Sequence, residues 1–396
     1  MKYTGSVTAA LALMAGLSCA FPAMEELMKK MPAEKRAGST ELIGDLATLQ
    51  DGQLTQTGKD VKAILQGQAS GMDTTSSYKN VSAKGTPECA KDTCCIWKYI
   101  ADDMRKAMVG DAGRCNDVAR GAVRLGFHDA GTWSKTTAPG GGADGSTVLA
   151  GECETRSENN GLQAICSQMR QWFNQYKAFN ITMADLIQMG ANVGTVACPL
   201  GPRVRSFVGR KDSSTPSPQG NIPSPFDGAD KLISLFADKT INADGLVALV
   251  GAHSTAQQRF VDPKRAGDPL DTTPGVWDTN FYGEVLEPKA PKRVFKFQSD
   301  IALSNDSRTS GTWKAFVGTG GQGPWDGAYS GEYVRLSLLG VNNINDMTEC
   351  TKVLPPFTPT FTSPDQPQLS QFLNNNNTAE TQQSSQLMGG NKINYV

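Results

Sequence analysis

Apolar residues recur at helical spacing through most of the chain, whereas runs that alternate apolar and polar residues are few. Residues 96–108, 161–178 and 183–193 carry apolar side chains three and four positions apart, the spacing of a helix that buries one face. Thr182 and Asp185 stand in a capping-box pattern ahead of the third stretch. No period of 20 to 50 residues recurs, which excludes a solenoid. The pattern predicts a mostly α fold.

The flanking segments differ from this helical middle. Residues 37–88 are polar and lack cysteine, with short helices predicted at 41–50 and 61–66. A Pro-rich span, 215–225, predicts the connection between two halves. After Pro355 the chain is rich in Pro, Asn and Gln, a composition typical of an extended tail. The expected organisation is an N-terminal extension (37–88), a main domain (89–355, with halves at about 89–214 and 226–355) and a low-complexity C-terminal tail (356–396).

The start of the chain predicts export. Lys2 precedes a short apolar run at 7–17, and Ser18-Cys19-Ala20 supplies small residues for cleavage, so residues 1–20 are predicted to be a signal peptide. The run is too short to span a bilayer. Lys35-Arg36 is a candidate dibasic cleavage site that would make residues 21–36 a propeptide; a solvated charge pair is the alternative interpretation.

Composition narrows the class of protein further. The net charge is −1, so nothing argues for nucleic acid or an anionic membrane as a partner. Eight cysteines remain after the signal peptide, and an even number in an exported chain predicts disulfides formed in an oxidising compartment, although eight allow 105 pairings. Glycosylation sequences, which also fit secretion, occur at Asn80, Asn180, Asn305 and Asn376.

The chain contains only two histidines, and each ends an apolar run. In the helix predicted at 120–131, Arg124 and His128 are one turn apart, with Phe127 beside them as an aromatic wall. His253 lies at the end of a second predicted helix, on the apolar face that is expected to be buried. Later in the sequence, Asp300 is a candidate for a buried carboxylate. Such sparing use of histidine favours a chemical role. A core helix with one satisfied histidine and a surface arginine is the alternative.

An oxygen-rich loop follows each histidine. Residues 139–146 contain four glycines with Asp144 and Ser146, and residues 262–278 are rich in Asp, Pro and Thr. Hard cations such as calcium prefer carboxylate, hydroxyl and carbonyl oxygens. Either loop alone is more often a solvated turn, but their placement beside the two histidines favours cation sites.

The two histidine motifs carry a family resemblance. Arg124-Leu-Gly-Phe-His128-Asp and Gly251-Ala-His253-Ser resemble the distal and proximal haem motifs of the plant, fungal and bacterial haem peroxidase superfamily. The secreted fungal class II, which contains lignin and manganese peroxidases, is the most similar class, over roughly residues 89–355. The resemblance implies a two-domain helical fold with one haem b between distal and proximal halves. It also implies a monomer that reduces hydrogen peroxide and oxidises small phenolic or aromatic donors by one-electron steps.

The resemblance assigns roles on the proximal side. His253 would be the axial iron ligand. Asp300 would accept the other N–H of its ring, which makes the imidazole more basic.

On the distal side, His128 would take a proton from peroxide and return it to the leaving oxygen, and Arg124 would stabilise the charge that develops. Asn159 would accept the other N–H of His128, and its own glutamate partner in the family matches either Glu152 or Glu154. The predicted catalytic residues are Arg124, Phe127, His128 and Asn159, and the predicted haem-binding residues are His253 and Asp300.

The resemblance also implies two calcium ions and a disulfide pattern. The distal calcium ligands would be Asp129, Gly142, Asp144 and Ser146, and the proximal ones Ser254, Asp271, Thr273, Val276 (main chain) and Asp278. The implied disulfides are Cys89–Cys95, Cys94–Cys350 and Cys115–Cys198, which leaves Cys153–Cys166.

Two departures from the family restrict the donor. The three acidic residues that bind manganese in manganese peroxidases correspond to Asp117, Gly121 and Arg259, so only one acid remains. The surface tryptophan of lignin peroxidases corresponds to Ala248. Neither a manganese site nor long-range oxidation through that tryptophan is expected.

Two other functions remain open at this stage. One is a secreted binding glycoprotein on a peroxidase scaffold that has lost activity, against which the complete set of histidines, Arg124 and Asp300 argues. The other is a metallohydrolase with zinc on the histidines and carboxylates. Zinc requires three or four close ligands, and the sequence lacks a compact cluster of that kind.

Overall fold

A computed structural model describes residues 38–375 and 382–394 of the chain. The predicted signal peptide, the candidate propeptide with Lys35-Arg36 and the glycosylation sequence at Asn376 lie outside the described residues. The described residues belong to one compact unit that starts at Gly38. The division of the main domain at 215–225 stays a prediction.

Helices dominate the described residues, so the predicted mostly α fold is confirmed. The α-helices are α1 (Gln56–Leu65), α2 (Pro87–Lys91), α3 (Thr93–Met108), α4 (Asp117–Ala130), α5 (Ser146–Leu149), α6 (Glu152–Thr155), α7 (Gln163–Tyr176), α8 (Met183–Ala197), α9 (Ala229–Ala237), α10 (Ala243–Val250), α11 (Asn280–Leu286), α12 (Gln298–Asn305), α13 (Ser310–Ala315), α14 (Gln322–Leu336), α15 (Gln366–Asn374) and α16 (Gln382–Met388). Two short strands, β1 (Phe207–Val208) and β2 (Thr348–Glu349), pair antiparallel with Phe207 opposite Glu349.

Short 3₁₀ segments connect or extend these helices. They are Gly44–Ala47, Asp51–Gln53, Ser157–Asn159, Lys177–Phe179, Gly251–Thr255, Pro263–Arg265, Thr319–Gly321, Ile344–Asp346 and Thr351–Val353. Among the described residues, no helix combines the length and the apolar character needed to cross a bilayer.

Helices α4 and α8 pack closely because small residues line their contact. A Cβ atom at Gly126 would lie 2.6 Å from Cβ of Ala191, and one at Gly194 would lie 2.8 Å from the carbonyl oxygen of Ala119. The helix ends are capped as well: the Thr182 hydroxyl accepts from the main-chain N–H of residue 185, as the capping pattern predicts. This packing fixes the helix that carries Arg124 and His128.

The segment that carries His253 is a helix with a tightened end. Asn242 caps α10 by accepting from the N–H of Gly245 at 2.9 Å, and the α-helix ends at Val250 and continues as 3₁₀ through His253. The indole N–H of Trp325, on α14, donates to the carbonyl of Ala248 at 2.9 Å. Buried aromatic side chains therefore hold this segment by its main chain.

The N-terminal extension packs into the core from residue 38 onward. Ile43, Leu46 and Val61 belong to the same hydrophobic cluster as the central helices, and each fully buried side chain of this size contributes about 1.5–3 kcal/mol. The buried guanidinium of Arg335 donates to the carbonyls of Glu41 at 2.7 Å and Leu65 at 2.9 Å. The extension is thus part of the folded domain.

The prediction of an extended C-terminal tail was wrong for the described part. Helices α15 and α16 pack a second hydrophobic cluster, built from Leu369, Phe372, Leu373, Leu387 and Ile393. Asp365 forms a buried bidentate ion pair with Arg114, with both N–O distances at 2.7 Å. Leu369, Phe372 and Leu373 are three and four positions apart on α15, and Leu387 and Ile393 complete the cluster from α16 and the residues after it. The overall composition does not reveal these few apolar residues, because Asn and Gln surround them.

The four predicted disulfides are all present. They join Cys89 to Cys95, Cys94 to Cys350, Cys115 to Cys198, and Cys153 to Cys166.

Candidate active site

One face of α4 presents an arginine and a histidine to the same space. Nε of Arg124 lies 3.2 Å from Nε2 of His128, one helical turn away. The ring of Phe127 meets the His128 ring edge-on at 5.6 Å and stacks on Phe236 of α9 at 6.0 Å. The aromatic wall predicted beside the two polar groups therefore has a second ring behind it.

The tautomer of His128 follows from its hydrogen bonds. Nδ1 lies 2.9 Å from Oδ1 of Asn159, whose own Nδ2 donates to the carbonyl of Glu152 at 3.1 Å. Because the Asn159 oxygen must face the ring, Nδ1 carries the hydrogen and Nε2 keeps its lone pair. Burial, together with the charge of Arg124, lowers the pKa of His128 to about 3. The imidazole is neutral at ordinary pH.

Neither of the two candidate glutamates uses its carboxylate to hold Asn159. The Glu152 carboxylate pairs with Arg156 at 2.9 Å and accepts from the N–H of Ser217 at 2.6 Å. Glu154 pairs with Arg170 at 2.7 Å. The partner of Asn159 is the main-chain carbonyl of Glu152.

Arg124 is tied to the loop that carries Asn159. Its Nη1 donates to the carbonyl of Asn160 at 2.8 Å, and its Nη2 donates to the carbonyl of Glu158 at 3.2 Å. The side chain keeps contact with solvent although protein atoms surround much of it. This surrounding lowers the pKa of Arg124 to about 10, which leaves the guanidinium charged.

His253 is held by a buried carboxylate. Its Nδ1 lies 3.1 and 3.2 Å from the two oxygens of Asp300, which is fully buried on α12. Phe281 and Phe297 meet the imidazole edge-on at 5.7 and 5.5 Å. The His253 side chain stays 33% exposed, with Nε2 on the side away from the carboxylate. That geometry presents one basic nitrogen and fixes the ring by the other.

The loop that follows His253 approaches the loop to which Arg124 is hydrogen-bonded. A Cβ atom at Gly161 would lie 2.9 Å from Cε2 of Phe260 and 3.2 Å from Nη1 of Arg124. Sequence reasoning did not single out Phe260, because an aromatic residue in a polar loop carries no motif. The contact brings the segments of the two histidine motifs to one place.

The residues predicted for the distal cation gather around Asp129. This buried carboxylate accepts from the N–H of Gly145 at 3.0 Å and of Thr147 at 3.2 Å. Asp144 accepts from the N–H of Ser146 at 3.0 Å. Burial, and then the charge of Asp144, raises the pKa of Asp129 to about 8. Gly142 lies in the same turn, where its carbonyl accepts from the N–H of residue 144 at 2.8 Å.

The residues predicted for the proximal cation leave buried oxygens unpaired. Oγ of Ser254 and Oδ2 of Asp271 find no hydrogen-bond partner within the described chain. Thr273 donates its hydroxyl to Asp278 at 3.0 Å, and Val276 closes the turn by donating its N–H to the carbonyl of residue 273 at 3.0 Å. Burial raises the pKa of Asp278 to about 6 and raises that of Asp271 well above its usual range.

One further acid at the proximal loop was missed. Glu284, on α11, accepts from the N–H of Thr272 at 2.9 Å, and burial raises its pKa to about 7. Glu284 lies on the helix that follows the loop, so its spacing from the other acids in the sequence did not point to it.

Both oxygen clusters mix carboxylates with hydroxyl and main-chain oxygens. Within residues 38–375 and 382–394, no three His, Cys, Asp or Glu side chains converge on one point, so the zinc hypothesis finds no ligand set there.

The three positions that correspond to a manganese site hold an ion pair. Nη2 of Arg259 lies 3.8 Å from a carboxylate oxygen of Asp117, which also pairs with Arg120 at 2.5 Å. The end of α16 covers this place: Arg120 donates to the carbonyl of Met388 at 2.8 Å, and Arg259 contacts the sulfur of the same residue. Gly121 has no side chain to add to this group.

Comparison with known proteins identifies relatives over most of the chain. The family model described as "Peroxidase" matches residues 100–319. The chain is 32% identical to manganese peroxidase 3 of Phlebia radiata over 289 residues, covering 67% of this chain and 78% of that protein. It is 32% identical to ligninase C of Trametes versicolor over 297 residues (68% and 77%). It is 30% identical to a peroxidase of Arthromyces ramosus over 300 residues (70% and 80%).

Proposed function

Because the chain belongs to the peroxidase family, we propose that it reduces hydrogen peroxide at one haem b held between the His128 side and the His253 side. The chain is an oxidoreductase of mostly helical fold. The observation that carries the proposal is that each of the two imidazoles is held through Nδ1. Asn159 holds His128, which is neutral with Nε2 available, and Asp300 holds His253.

The residues on the His253 side fit an iron porphyrin. An imidazole with one nitrogen hydrogen-bonded to a buried carboxylate can present the other nitrogen to a metal. The flanking rings of Phe281 and Phe297 make the surroundings apolar. Haem, when bound, supplies an iron that reacts with hydrogen peroxide and a macrocycle that keeps the oxidising equivalents until a donor arrives.

His128 moves the proton. Its Nε2 accepts a proton from one oxygen of peroxide and returns it to the other as the O–O bond breaks, so the residue ends unchanged. Proton transfer of this kind typically contributes about 10²–10⁴-fold. To reach Nε2, the peroxide O–H replaces the N–H of Arg124 as the hydrogen-bond partner.

Arg124 supplies the positive charge that the departing oxygen needs. Its two Nη groups stay bonded to the carbonyls of Glu158 and Asn160, so the guanidinium is held in place before the reaction begins. A preorganised donor of this kind typically contributes about 10²–10³-fold. Overall, hydrogen peroxide and two phenol molecules give two waters and two phenoxyl radicals, so each donor loses one electron and one proton.

The two oxygen clusters fit calcium. Unpaired buried oxygens at Ser254 and Asp271, and pKa values raised at Asp129 and Asp278, are what buried carboxylates and hydroxyls show when a cation is their natural partner. The ligands would be those predicted from the sequence: Asp129, Gly142, Asp144, Ser146, and Ser254, Asp271, Thr273, Val276, Asp278. One cation would bind Asp129, the residue after His128, and the other would bind Ser254, the residue after His253. Each cation would thereby fix the end of the segment that carries that histidine.

Small phenolic or aromatic molecules are the proposed donors. The ion pair between Asp117 and Arg259 supports a reaction without a manganese site. The disulfides support secretion into an oxidising compartment. A monomeric state stays a prediction.

A spectrum of the purified protein tests the haem centre. We expect a Soret band after expression with sufficient haem, and a change in that band within a stopped-flow mixing time after peroxide is added. A protein that purifies folded with no Soret band, or with a band that peroxide leaves unchanged, would favour the inactive binding glycoprotein instead.

A further inference from the structure

Glu332, on α14, is a buried acid without a full partner. Only 8% of the residue is exposed, and its Oε2 finds no hydrogen-bond partner among the described residues. Nε of Arg335 lies 3.9 Å from that oxygen, which is beyond hydrogen-bond distance. Burial raises the pKa of Glu332 to about 7, although the charge of Arg335 opposes the shift. A buried carboxylate of this kind is stabilised when a cation also donates hydrogen bonds to it.

The guanidinium of Arg335 is directed elsewhere. Its Nη1 donates to the carbonyl of Glu41 at 2.7 Å. Its Nη2 donates to the carbonyls of Ser39 and Leu65. The N-terminal segment therefore takes up much of the hydrogen-bonding capacity of Arg335, and Glu332 keeps room for a second cation.

The Glu332 carboxylate lies between the first described residue and α10. A Cβ atom at Gly38 would collide with Oε1 of Glu332, and one at Gly245, on α10, would lie 2.6 Å from Cδ of the same side chain. Asp244 adds to the negative charge at this place, since its charge raises the pKa of Glu332 further. A cation bound here would join the start of the described chain to the helix that leads to His253.

We propose that hydrolysis of the peptide bond after Arg36 creates an α-ammonium group on Ala37 that forms a buried ion pair with Glu332. Lys35-Arg36 supplies the paired basic residues for a protease, and water provides the hydroxyl of the new carboxyl group and the hydrogen of the new amine. Consecutive Cα atoms are about 3.8 Å apart, so an amino group on Ala37 can reach a carboxylate that touches Gly38.

Cleavage changes both the charge and the donors of that nitrogen. In the precursor it is a peptide N–H, which is neutral and donates once. In the mature chain it is an ammonium with three donors, the partner that Glu332 lacks. The new chain end would then be fixed to α14 and α10, and the mature protein should be more stable than its precursor. This inference concerns maturation of the fold and does not depend on the peroxidase reaction.

Three variants of the full chain, expressed for secretion from a fungal host, test the pair. Lys35→Gln combined with Arg36→Gln prevents cleavage, and Glu332→Gln removes the carboxylate charge at nearly the same size. Glu154→Gln is the matched control, because Glu154 pairs with Arg170 at 2.7 Å but its side chain is 45% exposed. N-terminal sequencing gives the first residue of each protein, and a wild-type protein that starts elsewhere than Ala37 would overturn the proposal.

The pKa of the new amino group is the local readout. The native proteins are treated with an acetylating reagent over a range of pH, and mass spectrometry of the N-terminal peptide follows the reaction. An ordinary α-amino group has a pKa of about 8, and we expect the wild-type midpoint at least about one pH unit higher because the carboxylate favours the charged form. The midpoint should return to about 8 in Glu332→Gln and stay raised in Glu154→Gln. A wild-type midpoint near 8, or a raised midpoint that persists in Glu332→Gln, would overturn the pair.

Melting temperatures test whether cleavage and Glu332 act together. The uncleaved variant and Glu332→Gln should each melt at least about 3 °C below wild type, because each leaves the buried site without one of its charges. All the substitutions combined should lower the melting temperature no further than the larger single loss. Losses that add in full, or an uncleaved variant that melts with wild type, would contradict the proposal even if Glu332→Gln fails to fold.

Discussion

Nε of Arg124 donates a hydrogen bond to Nε2 of His128 across 3.2 Å. The guanidinium that would stabilise the developing charge therefore occupies the lone pair of His128 that would accept the proton. The other nitrogen of His128 is committed to Asn159. Both side chains are further fixed by the loop Ser157–Asn159 and the residue after it. Arg124 and His128 therefore act as one unit, and substitutions in them should not be independent.

His128→Ala should retain haem and lose about 10²–10⁴-fold in the rate constant for the reaction with peroxide. Arg124→Ala should lose a similar factor, and the double variant should lose less than the product of the two because both groups act on the same bond cleavage. Stopped-flow spectroscopy at several peroxide concentrations measures the three rate constants. Phe179→Ala, at an exposed phenylalanine that contacts Tyr176, serves as the control. A wild-type rate constant in His128→Ala would assign the proton transfer to another group.

The peroxide reaction should stay active well into acid. Burial and the neighbouring charge lower the pKa of His128 to about 3, and only the neutral imidazole can accept a proton. The rate constant should therefore be level at pH values above about 4 and should fall as the pH drops through the pKa, tenfold for each further pH unit. A pH-jump stopped-flow series reports the midpoint. A midpoint near 6.5, the ordinary value for histidine, would mean that water solvates His128 in the working protein.

Asp300→Asn should raise the reduction potential of the bound iron and weaken haem retention, because an amide accepts the N–H of His253 less strongly than a carboxylate does. The loss in haem affinity or activity should be about 10- to 100-fold, the range typical of such supporting residues. Spectroelectrochemistry and haem transfer to apomyoglobin measure the two effects. Asp306→Asn, beyond the end of the same helix in a pair with Arg308, is the matched control. An unchanged potential in Asp300→Asn would show that the hydrogen bond does not tune the ring.

Calcium removal should lower the melting temperature and loosen the haem, and the effect should depend on pH. Burial raises the pKa of Asp129 to about 8 and that of Asp278 to about 6. The folded, calcium-free protein therefore binds more protons than the unfolded chain, and its stability falls as the pH rises through these values. Calcium binds the ionised carboxylates, so the stabilisation that it adds should be larger at pH 8 than at pH 5. Calorimetry with and without a chelator measures the difference, and a melting temperature insensitive to chelation at pH 8 would contradict both cation sites.

Asp365→Ala should destabilise the fold by about 3–5 kcal/mol, because it leaves Arg114 charged and buried without its partner. Chemical unfolding measures the free energy of unfolding. Asp51→Ala breaks an ion pair with Lys62 in which the acid is 81% exposed, and it should leave the free energy of unfolding almost unchanged, because solvent screens such a pair. Similar small losses in both variants would mean that the C-terminal segment does not stay docked in solution.

Local signals in the sequence were sufficient for the elements that carry the chemistry. Spacing placed Arg124 and His128 on one helix face, and the capping pattern at Thr182 located the start of α8, because both depend on residues within one turn. The mostly helical fold and the disulfide pairs also agree with the structure. The roles of the site residues remain predictions that the experiments above address.

Contacts between residues far apart in the sequence could not be predicted from the sequence. The N-terminal extension is held by Arg335, nearly 300 positions away, and the C-terminal segment by Arg114. Neither partner follows from periodicity. Asn159 bonds to the main-chain carbonyl of Glu152, which any residue type could offer, so side-chain chemistry could not decide between Glu152 and Glu154. The proximity of Phe260 to Gly161, which lies in another loop, likewise follows only from the tertiary fold.

The attachment of both chain ends to the middle has a consequence for biosynthesis. Cys94 pairs with Cys350, 256 positions later in the sequence, and Arg114 pairs with Asp365, which is synthesised long after it. A contact of such separation cannot form until both of its residues have been synthesised, and it closes slowly because a long loop must be ordered. A ribosome-stalled fragment ending before residue 350 should therefore present an unpaired Cys94 to thiol reagents and need chaperones to keep its open core from aggregating.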